Sequence, residues 1–74
     1  MRAEFTVEPF VDGDPGPHVR AAITAAQATG AAVDVGPLGT TVEGEASVVL
    51  DAVDAITRAA MAAGATRLTL QISD

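Results

Sequence analysis

An α+β fold of order βαββαβ is the architecture this 74-residue sequence predicts. Three observations point to it. Four segments alternate apolar and polar residues, the period of a strand buried on one face. Two alanine-rich stretches repeat apolar residues at helical spacing. Each of these stretches runs into a glycine, Gly30 or Gly64, the residue that most readily takes the left-handed turn after a helix.

Taken in order, residues 3–8 (AEFTVE) alternate cleanly, and Pro9 marks the end of that strand. Residues 12–17 (DGDPGP) form a dense turn segment. They also hold two helix starts, Asp14 before Pro15 and Gly16 before Pro17, each with proline at the first helical position. Val19, Ala22, Ile23 and Ala26 then form an apolar stripe that stops at Gly30. Alanine favours the helix and thins its apolar face, so the helix sits close to a sheet but buries little area. Residues 32–36 (AVDVG) read as a second strand, residues 37–39 as a tight turn, and residues 40–45 (TTVEGE) as a third strand. So short a connection allows only an antiparallel hairpin. Gly44 implies a bulge, a close backbone approach, or the end of that strand. Ser47 is the predicted N-cap of the second helix. Its stripe is Val49, Val53, Ile56, Ala60 and Ala63, with Ala52 and Ala59 alongside. Asp54 and Arg58 form an i,i+4 pair. Residues 67–73 (RLTLQIS) alternate and close the domain. With right-handed crossovers, this order predicts a ferredoxin-like domain spanning 1–74: a four-stranded antiparallel sheet with two helices on one face.

A domain this small buries only about 60% of its unfolded surface. Cysteine is absent, which removes disulfides and thiolate metal sites. Oligomerisation is the remaining support, so a homo-oligomer, dimer or tetramer, is expected through sheet faces or edges. Four basic residues stand against ten acidic ones, a net charge of −6, and every basic residue is arginine. No useful basic patch is possible, which argues against nucleic acid and anionic membranes. An acidic field favours cationic partners. No stretch approaches a membrane span, and the N-terminus reads as a strand and not a signal peptide. The expected location is cytoplasmic.

Alternation assigns Phe5, Val7, Val33, Val35, Val42, Leu68, Leu70 and Ile72 to the helix-covered face. The opposite face carries Glu4, Thr6, Glu8, Phe10, Asp34, Gly36, Leu38, Thr41, Glu43, Arg67, Thr69 and Gln71. It is polar, acidic and rich in hydroxyls. Such a face is either simply solvated or a binding or subunit-contact surface. No catalytic constellation accompanies it. His18 is the only histidine, reads as an exposed helix-start residue, and has no nearby nucleophile. The pairs Glu4/Glu8 and Glu43/Glu45 suit acid–base work or a hard cation, yet such pairs are commonly surface charges. Arg67 is a possible partner for Glu43. Residues 36–41 lack the lysine and following helix of a phosphate loop.

Three blocks in order, 3–9 (AEFTVEP), 36–45 (GPLGTTVEGE) and 63–68 (AGATRL), resemble the YkoF-like thiamine-binding protein family. The central block is the specific one. The chain departs from the family at residues 12–17, where DGDPGP replaces a serine-containing loop. The resemblance implies a ferredoxin-like protein that assembles through its sheets and binds thiamine or its hydroxymethylpyrimidine part without turnover. No other cofactor is implied. The site it implies comprises Glu4, Thr6 and Glu8, then Gly39, Thr40, Thr41 and Glu43, then Thr69 and Gln71, with Phe10 or Leu38 covering a ring. Carboxylates suit the thiazolium cation and amino group, and threonines suit the pyrimidine. The rival expectation is an assembly or regulatory module whose open sheet only joins subunits. An enzyme acting on a thiamine precursor is the weakest of the three.

Overall fold

Each predicted element is present in the computed structural model, which describes residues 1–9, 16–36 and 39–74. The elements are β1 (Arg2–Glu8), α1 (Pro17–Ala28), β2 (Ala32–Val35), β3 (Thr40–Glu43), α2 (Ala46–Ala62) and β4 (Arg67–Ser73). The sheet order is β2-β3-β1-β4, with every pairing antiparallel. This is the expected ferredoxin-like arrangement. The central strand β1 pairs with β4 from Arg2 opposite Ser73 to Glu8 opposite Arg67.

Proline selects the start of α1. Gly16 is the N-cap and Pro17 the first helical residue; the other predicted start, Asp14, lies outside the described residues. His18 departs from expectation. It is buried, and its Nε2 is hydrogen-bonded to the Pro9 carbonyl, so it ties the start of α1 to the end of β1. Gly16 leaves room for that ring, since a Cβ there would lie 2.6 Å from His18 Cε1.

The second helix starts two residues earlier than predicted. Its N-cap is Glu45, without a side-chain cap, and Ser47 lies exposed in the first turn. The third strand is correspondingly shorter and stops at Glu43. Gly44 is therefore a strand end, held to the N-terminus by reciprocal bonds: its amide donates to Met1 O at 3.2 Å, and the Met1 amine donates to Gly44 O at 2.9 Å. The helix finishes in a Schellman turn. Ala65 N–H donates to Ala60 O at 3.0 Å and Gly64 N–H to Met61 O at 3.3 Å, with Gly64 at φ 104°.

Phe5 and Val7 of β1, Val42 of β3, and Ala22, Ala26, Ala52, Ile56 and Ala60 of the helices form the core. Its largest fully buried side chains are only Ile56, Val42 and Val49. Alanines let the two helices approach closely, at the cost of the larger burial energy, about 1.5–3 kcal/mol, that a valine, leucine or isoleucine brings. The edge strands receive less cover. Val35 on β2 and Ile72 on β4 face the helix side, as expected, yet remain 53% and 45% exposed.

Candidate functional site: the open sheet face

Alternation in β1 buries Ala3, Phe5 and Val7 and turns Arg2, Glu4, Thr6 and Glu8 to the other side. Strand register then arranges that side in rows across the sheet. At one end Arg2 lies between Glu43 of β3 and Ser73 of β4. The next row runs Asp34, Thr41, Glu4, Gln71. Thr6 faces Thr69, and Glu8 faces Arg67 at the far end. Neighbouring side chains on one strand stand about 7 Å apart along it, and strands lie about 4.8 Å apart.

Charge is not evenly compensated over these rows. Arg2 Nε lies 3.9 Å from Glu43, and Arg67 Nε 3.8 Å from Glu8. The partner of Arg67 is thus Glu8 and not Glu43, because register sets them directly opposite. Glu4 and Asp34 have no ion-pair partner among the described residues. Their row therefore keeps two carboxylates beside a threonine hydroxyl and a carboxamide. A shallow open depression lined by Arg2, Glu4, Gln71, Ile72 and Ser73 sits at this end of the face.

Gly39 borders the rows from the β2–β3 turn, which is closed by a 2.8 Å bond from Gly36 N–H to Gly39 O. A Cβ at Gly39 would stand 3.3 Å from Phe5 O and 3.4 Å from Thr6 Oγ1. Its lack of a side chain lets the turn approach β1, where Thr6 is itself engaged in a polar interaction.

Of the residues expected to line a site, the structure brings together Glu4, Thr6, Glu8, Thr41, Glu43, Thr69 and Gln71, with Gly39 at the rim. It separates Thr40. That side chain is opposite Phe5 in register, shares the parity of Val42, and is buried at 5% exposure on the helix side. Phe10 and Leu38 lie outside the described residues. Sequence reasoning left out Arg2, Asp34 and Ser73. Arg2 shares the parity of Glu4, Thr6 and Glu8, and was missed because the strand begins one residue before the alternation was read. Asp34 was assigned to the face, but its place next to Thr41 and in line with Glu4 needs the register.

Among the described residues no group of three or more histidine, aspartate or glutamate side chains is placed to hold a metal ion. No helix among them is long and apolar enough to cross a membrane.

Solved structures share this fold. The chain is 34% identical to a Bacillus cereus structure titled as the domain of unknown function DUF77, with a TM-score of 0.72, covering 97% of this chain and 70% of that one. It is 29% identical to a Thermotoga maritima structure assigned provisionally to thiamine biosynthesis or salvage, with a TM-score of 0.56, covering 97% of this chain and 77% of that one. No curated protein matches. The profile described as thiamine-binding protein matches residues 3–73. Over nearly its whole length, the chain belongs to the thiamine-binding protein family.

Proposed function

We infer that this protein binds thiamine, or its hydroxymethylpyrimidine moiety, on the open sheet face, without turnover and as a cytoplasmic homo-oligomer. The observation that carries this reading is the row Asp34, Thr41, Glu4, Gln71, with two carboxylates free of ion-pair partners among the described residues. A thiazolium ring carries a fixed positive charge. An aminopyrimidine offers both donors and acceptors, which carboxylate, hydroxyl and carboxamide groups can meet. Glu4 faces the cation or amino group, Thr41 and Gln71 orient the ring, and Gly39 lets it approach the β2–β3 turn.

Glu4→Gln tests the reading, because it keeps shape and removes charge. Losing a charge-assisted hydrogen bond costs about 1.5–3 kcal/mol, roughly tenfold to a hundredfold in affinity. Calorimetric titration with thiamine should show that loss, with the melting temperature unchanged because Glu4 is exposed. Equal affinity of the two proteins removes Glu4 from the site.

One observation favours the assembly-module reading. The outer edge of β4 is seven residues long, with Ile72 45% exposed, and long edge strands pair readily with other chains. Light scattering that shows an oligomer, together with calorimetry that shows no thiamine binding by the parent protein, would establish that alternative.

A further inference from the structure

A site for a simple cation has no use for a guanidinium, yet Arg2 lines the same depression as Glu4, Gln71 and Ser73. Arg2 and Glu4 are alternate residues of β1, so opposite charges stand about 7 Å apart along one strand face. Arg2 is also lightly held. Its side chain is 57% exposed and its approach to Glu43 is long, 3.9 Å from Nε to the carboxylate. Most of its five N–H donors are left for a ligand. The other arginines are placed differently. Arg58 closes on Asp54 at 3.0 Å on α2, Arg67 faces Glu8 at the far end of the sheet, and Arg20 lies on α1. Among the described residues Arg2 is the one arginine bordering the depression.

Mixed charge at this spacing complements a ligand that is itself mixed. We propose that the preferred ligand is a phosphate ester of the thiamine class, with Glu4 under the cationic ring and Arg2 binding the phosphate. This rests on the reading of the open face given above. The ester places its phosphate on a short arm from the cationic ring, a separation comparable with that between alternate residues of a strand. A phosphate monoester carries most of two negative charges at neutral pH, and a guanidinium fork can meet two of its oxygens at once. Ser73, directly across from Arg2, offers a hydroxyl to a third. An unphosphorylated ring leaves Arg2 unused and is mildly repelled by it.

Calorimetric titration of the parent protein, Arg2→Gln and Arg2→Lys with thiamine, thiamine monophosphate and inorganic phosphate tests the proposal. The parent should bind the monophosphate at least about tenfold more tightly than thiamine, the scale of one charge-assisted bond. Arg2→Gln should abolish that preference by lowering affinity for the monophosphate at least about tenfold. Arg2→Lys should retain part of it, because the charge stays and the fork is lost. Inorganic phosphate alone should bind far more weakly than the ester. Equal affinity of the parent for thiamine and its monophosphate overturns the proposal and leaves the thiamine reading standing. So does a preference that survives Arg2→Gln. Inorganic phosphate binding as tightly as the ester overturns it in favour of a plain anion site. Failure of the parent to bind either thiamine compound overturns both readings together.

Discussion

On one side of β1, Ala3, Phe5 and Val7 are almost wholly withdrawn from water; on the other, Arg2 and Glu4 remain exposed. The same seven residues supply both sides, yet the two are held by different forces. Burial organises the helix side, so a change there alters the free energy of folding. The open side is organised by register alone. Its groups sit where the ladder places them, and their chemistry can change with little effect on stability. The lesson concerns where selection can act. A domain with a small alanine-rich core has little stability to spare, and the open face is where new chemistry costs least.

The sharpest way to break this comparison uses two neighbours on β3. Val42 is fully buried between β1 and β2, whereas Thr41 lies on the open face between Asp34 and Glu4. Val42→Asp buries an unpaired charge, costs several kcal/mol, and should unfold the domain. Thr41→Asp adds a third carboxylate to an exposed row and should leave a folded protein with a modestly lower melting temperature. Thermal melts of both variants decide the matter. If both melt like the parent, the facing of β3 is wrong.

A smaller effect separates the rows of the open face from one another. Glu43 is partly neutralised by Arg2, whereas Glu4 is not. Glu43→Gln should therefore weaken thiamine binding by less than Glu4→Gln does. Its effect on stability should be at most about 1 kcal/mol, since the Arg2 contact is exposed. Calorimetry on both variants, beside melts, ranks the two carboxylates. A larger loss at Glu43 would move the cation from the second row to the first.

The smallest effect is a control away from the sheet. Asp54 and Arg58 pair at 3.0 Å on the exposed side of α2, as their spacing predicts. Asp54→Asn, which keeps helix propensity nearly constant and removes the charge, should cost about 0.3–0.5 kcal/mol and leave thiamine affinity unchanged. Denaturant unfolding and titration check both halves.

How far these features can be read in advance depends on the force behind them. Strand alternation and the glycines after each helix announced every element, because burial and left-handed turns leave local marks. Thr40 entered the expected site with the family-like block 36–45, although alternation with Thr41 and Val42 already sets it on the helix side, where it pairs with Phe5. Ser47 looked like a cap, but the tight link from β3 puts Glu45 in that position. His18 was read as exposed because its partner, the Pro9 carbonyl, is backbone and leaves no trace in side-chain patterns. The rows of the site share that limitation. Asp34 and Glu4 are thirty positions apart in sequence, and only two ladders across β3 bring them into one line.

The order of strands also determines when the domain can form. β1, the first of the four described strands in chain order, lies in the interior of the sheet, and its partner on one side is β4, the fourth. A nascent chain that has not yet released Arg67–Ser73 from the ribosome has one edge of β1 open along its whole length. Leu68 and Leu70, which flank Phe5 and Val7, are then also missing from the core. The β2–β3 hairpin and both helices can assemble earlier, but the sheet closes only on the final strand. Joining ends so far apart in sequence carries the loop-closure entropy that slows folding.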